Sequence, residues 1–307
     1  MQLSVLQQKP RFSYDPEREA PALPFLREQA ARTLDDTFEM LGEAARRGSR
    51  LAVTVECVNA HMSCTDLRRP FAEAYEGLDG AVVERFSKCA RREGMHIVAG
   101  LYLTVDGRTY NCAVLFDAAG KIVGIHRKVH LPAGEELQIT PGDRFEVFET
   151  ELGPVGMLVC WDMQFPEAAR TLALKGANLI ACPTWGWENL YGLCRAYENS
   201  VTIAAAMGVN ASGLTSADCD PSCVVDNMGR IVAAAPRDAS AVVTCAVDLL
   251  REPAPQYGSE RYIDSASMRR TRLLQRRPET YGLLTVPTAE TPCYRRYFPP
   301  GGGEGGV

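Results

Sequence analysis

The chain has 307 residues, 46% of them hydrophobic and 23% charged, enough for one large domain or two modest ones, and no composition break divides it. A net charge of −5 without a clustered basic stripe argues against nucleic acid as a main partner, and no apolar run approaches the roughly 20 residues of a membrane span. No basic region followed by a long apolar segment opens the chain, so the cytoplasm is the expected location, and the eleven cysteines read as reduced thiols, not as a disulfide framework.

Leu3 to Gln7 reads as a first strand, and Pro24 to Arg47 as a helix stopped by Gly48. A strand over Arg50 to Val55 follows, then a helix over Ala81 to Glu93 ended by Gly94, then a strand from His96 to Leu103. Tyr110 to Phe116 and Ile122 to Arg127, joined across Asp117-Ala118-Ala119-Gly120-Lys121, predict a hairpin. An apolar run from Val155 to Val159 reads as a buried strand that ends on Cys160. A helix beginning near Pro166 and ended by Gly176 comes next, then a strand over Asn178 to Pro183. A helix over Tyr191 to Asn199, a strand over Val201 to Ala206 and a second hairpin over Cys223 to Ala233 complete the pattern. From Pro253 the chain becomes irregular and basic, and residues 299–307 read as a disordered tail. The result is an α/β chain whose two halves repeat strands, helices and a hairpin, which predicts sheets covered by helices.

Three of the strand ends carry chemistry. Val53-Thr54-Val55-Glu56-Cys57 sets a carboxylate after an apolar strand, Arg127-Lys128-Val129-His130-Leu131 sets an ammonium, and Leu158-Val159-Cys160-Trp161-Asp162 sets a thiol. A thiol at such a strand end is held rigidly, and the backbone N–H groups of the turn that follows can receive developing negative charge. Cysteine is reactive as the thiolate, so a neighbouring base or cation decides whether it is a nucleophile or a small buried hydrophobe. For the other cysteines the second reading is preferred; Cys219 and Cys223 have no second Cys or His pair beside them, which rejects a zinc site.

These segments resemble the nitrilase superfamily, the carbon–nitrogen hydrolases. Arg127-Lys128-Val129-His130-Leu131 matches the family's lysine motif, and Cys160-Trp161-Asp162 with Phe165-Pro166-Glu167 matches its nucleophile motif. Ile139-Thr140-Pro141-Gly142-Asp143, Gly176-Ala177-Asn178 and Arg195-Ala196-Tyr197-Glu198-Asn199 agree as well, in the expected order over roughly residues 50 to 250. The resemblance implies a catalytic Glu56, Lys128, Cys160 triad supported by a second glutamate, Glu135 or its neighbour Glu136. Where the family usually has proline before the first glutamate, Val55 stands here.

Several further expectations follow from the resemblance. The fold is a four-layer α-β-β-α sandwich, in one domain over residues 1–298 with a C-terminal arm from about 253 to 298. The reaction is hydrolysis of a non-peptide carbon–nitrogen bond in a small amide or N-carbamoyl compound through a cysteine thioester, without metal or organic cofactor. The nucleophile motif is closer to amidases and N-carbamoyl amine hydrolases than to nitrilases, which tend to carry glutamate at the position of Asp162. A nitrile substrate and a non-catalytic binding or scaffold role on the same fold are the alternatives. Members usually pair through helices beside the active site, so a homodimer or higher oligomer is expected. Trp161, Trp185 and Trp187 are candidate substrate-binding residues, Trp185 and Trp187 because they follow a strand end near the same crevice and Trp161 because its N–H adjoins the nucleophile. His130 is expected to be packed or hydrogen-bonded and not catalytic.

Overall fold

Side chains alternate between two environments along nearly every strand, and that alternation builds two sheets lying face to face. The computed structural model describes residues 1–15, 17–60, 66, 68, 75–209, 219–252 and 267–297. They fall into two units, Met1–Arg251 and Glu252–Val307. In the first sheet β1 (Gln2–Gln7), β2 (Ser49–Val53) and β3 (His96–Val105) are parallel; β4 (Arg108–Phe116) and β5 (Ile122–Arg127) continue it as antiparallel hairpins. The second sheet holds β6 (Val147–Phe148), β7 (Val155–Met157), β8 (Leu179–Thr184), β9 (Thr202–Met207), β10 (Cys223–Val225) and β11 (Ile231–Ala234), with β7, β8 and β9 parallel. A last strand, β12 (Ala241–Ala246), returns to the first sheet and pairs antiparallel with β1, giving the order β12-β1-β2-β3-β4-β5.

Three apolar layers follow from the period of two. Leu3, Val5, Leu51, Val53 and Val98 of the first sheet meet Val155, Met157, Leu179, Ala181 and Ala204 of the second between the sheets. The alternate residues Leu6, Ala52, Ile97, Ala99 and Leu101 turn outward onto helices α1 (Leu23–Arg46) and α2 (Ala81–Glu93). Ile180, Cys182, Ile203 and Ala205 do the same on the far side, under α3 (Pro166–Leu174) and α4 (Asn189–Asn199). The architecture is therefore the four-layer α-β-β-α sandwich. Each fully buried Leu, Ile or Val contributes roughly 1.5–3 kcal/mol, so these layers supply the main stabilising term.

Local signals set the helix ends. Pro24 and Pro166 stand in the first turns of α1 and α3, where a missing N–H costs nothing. Gly94 closes α2 at φ 59°, a left-handed conformation that favours glycine, and its N–H donates to the carbonyl of Ala90. Two strands go beyond the reading of the sequence. β6 spans only two residues, and β12 is a partly exposed edge strand with a weak apolar pattern. The ladder expected to run to Val159 ends at Met157, although Val159 stays extended, because Cys160 reverses the backbone.

The second unit contributes α5 (Met268–Leu274) and α6 (Pro292–Tyr297), with Ser267 capping α5 by accepting from the N–H of Arg270. The tail expected at 299–307 lies outside the described residues, as do residues 253–266 and 298 of the irregular stretch that follows β12. Among the described residues no helix is long and apolar enough to cross a membrane.

Candidate active site

Strand direction brings the three chemical strand ends to one place. β2 and β3 run parallel, β4 reverses and β5 reverses again, so β2 and β5 point their carboxyl ends the same way. Glu56 follows β2, Lys128 follows β5, and Cys160 follows β7 in the facing sheet. All three line one cavity of about 380 Å³, together with Glu135 and Trp185.

At its floor lies a dense ionic cluster. Lys128 is 2% exposed, Glu135 3% and Glu56 4%. The Lys128 Nζ donates to Glu56 Oε1 at 3.1 Å and to Glu135 Oε2 at 2.6 Å. The Asn111 amide spans the same two carboxylates, its Nδ2 donating to Glu56 Oε1 at 2.7 Å and to Glu135 Oε1 at 2.9 Å. Removing a charge from water costs several kcal/mol, and here each charge is matched by an opposite one and by further hydrogen bonds. Burial pulls the Lys128 ammonium down, but the carboxylates of Glu56 and Glu135 outweigh it and hold the group cationic. Burial pushes the Glu135 carboxyl up despite the opposing pull of Lys128. Glu136, one residue on, is exposed, so the geometry selects Glu135 of the two.

Backbone constraints fix the cluster. Asn111 also accepts the Lys128 N–H on its main-chain carbonyl at 2.8 Å, and the Lys128 carbonyl accepts from Gly142 at 2.7 Å. A Cβ on Gly142 would stand 2.1 Å from the carbonyl oxygen of Arg127, so only glycine lets the two segments meet. Gly100 plays the same part for the first glutamate: a Cβ there would lie 2.4 Å from the Val55 carbonyl oxygen and 2.7 Å from the Glu56 Cα.

Cys160 sits at φ 45°, a left-handed conformation uncommon for a residue with a Cβ, at the head of a short 3-10 turn over Cys160–Gln164. The leading N–H groups of such a turn lack intrahelical acceptors. Burial pushes the thiol up to about 12, Glu56 adds to the rise, and Lys128 with hydrogen bonds at Thr184 and the Trp185 backbone opposes it. The resting nucleophile is therefore a neutral thiol. Asp162, wholly buried, holds the turn to the lysine segment. Its carboxylate accepts from the N–H groups of His130 at 2.9 Å, Val159 at 3.1 Å and Val129 at 3.2 Å, and from the rings of His126 at 2.8 Å and His130 at 2.9 Å. Burial alone would raise this carboxyl, but the two histidines hold it well below the usual range.

His130 also stacks on Phe165 at 3.8 Å between ring centroids, a packed and hydrogen-bonded position. Of the three tryptophans, Trp185 lines the cavity and its Nε1 donates to the Glu56 carbonyl at 2.8 Å. Trp187 does not: it is wholly buried beneath α4, edge-on to Tyr191, with its Nε1 donating to Asn189. The strand end does not carry Trp187 into the crevice as expected, because the chain turns back into the helix layer two residues after Trp185. The Trp161 ring is 40% exposed and also lies outside the cavity lining. Asn111 was not foreseen, though a polar residue opening the apolar run Cys112–Phe116 was a signal for it. Phe12, Tyr14 and Leu26, which wall the far end of the cavity, carried no sequence signal.

Comparison with known proteins agrees with this architecture. Omega-amidase NIT2 of Xenopus tropicalis is 29% identical over 237 residues, 71% of this chain and 84% of that protein. N-carbamoylputrescine amidase of Arabidopsis thaliana is 32% identical over 153 residues, 47% of this chain and 50% of that one. Among solved structures, the carbon-nitrogen hydrolase from Helicobacter pylori G27 superposes with a TM-score of 0.72 at 25% identity, covering 94% of this chain and 98% of its own. An amidase mutant from Nesterenkonia sp. AN1, in which acrylamide has undergone Michael addition at the active site cysteine, has the same fold with a TM-score of 0.67 at 20% identity, covering 92% and 99%. The carbon-nitrogen hydrolase family model matches residues 19–252, most of the sandwich and every residue of the ionic cluster, and the chain belongs to that family.

Proposed function

We propose that the protein hydrolyses the carbon–nitrogen bond of a small amide or N-carbamoyl compound through a thioester on Cys160. The observation that carries this reading is one cavity holding a neutral, strained-turn cysteine beside a buried Glu56–Lys128–Glu135 cluster. Relatives named for amide and carbamoyl substrates support the substrate class.

Glu56 Oε1 is engaged by Lys128 and Asn111, which leaves Oε2 for the thiol proton. As that proton moves to Glu56, Cys160 Sγ bonds to the carbonyl carbon and the carbonyl π pair becomes the oxyanion. Lys128 and the Trp161 N–H stabilise it, each such donor being worth on the order of 3 kcal/mol. Collapse of the oxyanion breaks the carbon–nitrogen bond, Glu56 returns its proton to the nitrogen, and ammonia or an amine leaves. Water then gives a proton to Glu56, adds to the thioester, and expels the thiol as the acid or carbamate is released. Glu135 holds Lys128 in position throughout. Leu174 on α3 and Leu190 and Tyr197 on α4 are exposed apolar side chains that would take part in the expected pairing of copies through helices.

Ammonia release from amides, N-carbamoyl amines and nitriles, measured for wild type and Cys160→Ala together, tests the reading. Turnover of an amide or ureide that vanishes in the variant is expected, with a covalent acyl adduct on Cys160 visible by intact mass. Turnover confined to nitriles would replace the substrate class, and turnover retained in Cys160→Ala would remove the mechanism.

A further inference from the structure

We infer that the substrate carries a neutral, apolar tail, aromatic or aliphatic, and that the segment Pro10–Tyr14 with one face of α1 is the wall that selects it. The inference rests on the hydrolase reading and concerns the part of the cavity that the ionic cluster leaves for the rest of the substrate.

Besides the cluster, the cavity is walled by Phe12, Tyr14, Leu26 and Ala30, with Val58 and Tyr102 nearer the glutamates. This wall is built and fixed. Phe12 packs edge-on against Phe25 with centroids 5.0 Å apart, and the Tyr14 hydroxyl donates to Asp66 Oδ2 at 2.9 Å. The Arg11 N–H donates to Thr33 Oγ1 at 3.0 Å, and its guanidinium grips Asp36 on α1 at 2.6 Å, so the segment is pinned to the helix. Phe12 and Tyr14 precede residue 19, where the match to the family model begins.

The polar groups of the wall are mostly committed to the protein itself. Gln8 Nε2 donates to the Thr33 carbonyl at 2.7 Å, and its Oε1 accepts from Thr37 at 2.8 Å. Thr33 Oγ1 donates to the Gln29 carbonyl at 2.9 Å while accepting from Arg11. Among the described residues lining the cavity, the charged side chains are Glu56, Lys128 and Glu135, and Lys128 is bound by both carboxylates. A carboxylate on the tail would thus enter a cluster of net charge −1 with no free counter-ion in that lining. An ammonium would be stripped of water against aromatic and aliphatic carbon, with both carboxylates already holding Lys128. An uncharged apolar tail is the one that this wall solvates.

Three six-carbon amides differing only at the far end separate the possibilities: hexanamide, adipamic acid and ε-aminocaproamide. Wild-type kcat/KM is expected to favour hexanamide over each charged analogue by at least about 100-fold. Gln29→Arg, a half-buried position on the wall, should raise the ratio of adipamic to hexanamide turnover at least about tenfold by supplying the missing cation. Equal or faster turnover of either charged amide by the wild type overturns the inference. Calorimetric titration of Cys160→Ala with the same amides keeps the two readings apart. If no amide is hydrolysed yet hexanamide alone binds, the tail class stands and hydrolysis falls; charged amides binding as tightly as hexanamide, or no binding of hexanamide at millimolar concentration, overturns the tail class.

Discussion

The indole N–H of Trp185 donates to the main-chain carbonyl of Glu56 at 2.8 Å, tying the end of β8 in one sheet to the end of β2 in the other. The apolar packing between the sheets fixes distance better than direction, and this bond joins the polar ties of His126 to Asp162 and of Ser222 to Gln7 in crossing from one sheet to the other. This bond sets the height of Glu56 relative to Cys160. A Cβ on Gly208 would lie 2.6 Å from the indole, so the ring is also held from behind.

Trp185→Phe keeps most of the ring's bulk and removes the donor, leaving a buried carbonyl without its partner at a cost of about 1–3 kcal/mol. We expect kcat/KM to fall roughly 5- to 100-fold, with a thermal midpoint within a few degrees of wild type. Steady-state kinetics and a circular-dichroism melt check both halves. Unchanged kcat/KM would mean that the tie does not position the base.

The charge state of Cys160 makes a different prediction. Burial and Glu56 push its thiol up to about 12, so the thiol stays protonated throughout the working range and transfers its proton to Glu56 only as it attacks. The pH profile of kcat/KM should therefore rise on a carboxylate limb and stay flat from pH 7 to 9, without the tenfold-per-unit rise of an unassisted thiol titrating near about 8.5. A limb near pH 8.5 that disappears in Cys160→Ser would contradict it.

Asn111 places one amide nitrogen on both carboxylates. A donor bonded to the ionised form lowers a carboxyl pKa, so removing it raises the pKa. Asn111→Ala should move the acid limb of kcat/KM upward by about one pH unit or less and lower activity at neutral pH, with smaller losses at pH 9. A uniform loss at every pH would assign Asn111 a purely structural role.

Most strands were legible in the sequence because apolar runs bounded by glycine mark them, whereas the four-layer arrangement of the sheets was implied by the family resemblance. Glu56, Lys128 and Cys160 each close such a run, but a glutamate or lysine after a strand is commonly a solvated loop residue, so it is the resemblance to the carbon–nitrogen hydrolases that singles them out as a set. Asn111 was harder, since its meaning comes from register: β4 places it opposite Tyr102 on β3, beside the end of β5 and in reach of both glutamates. Trp187 was misplaced because a strand end says where the chain leaves a sheet and not when it re-enters the core. Phe12 and Tyr14 could not be read, because a loop without periodicity shows its neighbours only after folding.

Asp162 stabilises the nucleophile turn as an ionised acceptor of hydrogen bonds from His126, His130, Val129 and Val159. Asp162→Asn removes the charge and turns one acceptor into a donor, at a cost of about 3 kcal/mol, or roughly 6–12 °C in thermal midpoint. The folded carboxyl is held below its unfolded value, so its contribution is complete above the unfolded pKa of about 3.9 and is lost as pH falls toward the folded value. The stability gap between wild type and variant, read from urea unfolding, should be full at pH 7 and narrower at pH 3. A gap independent of pH would show that Asp162 acts by shape alone.

Gly100→Ala tests whether the base is held by the backbone. The added methyl would meet the Val55 carbonyl and the Glu56 Cα, and also Pro183 Cβ at 2.9 Å, so it cannot enter without pushing the ends of β2 and β8 apart. Both neighbours on the glutamate side are main chain, which has no rotamer to yield. A displacement of about 1 Å at a catalytic group costs on the order of 100-fold in rate. We expect kcat to drop by about that factor while KM for a small amide changes little, because the far wall at Phe12 and Leu26 is untouched. Overpacking should also lower stability by about 1–3 kcal/mol. Full activity in a folded Gly100→Ala variant would show that the strand ends can slide past the methyl and that Glu56 is positioned by its side-chain partners alone.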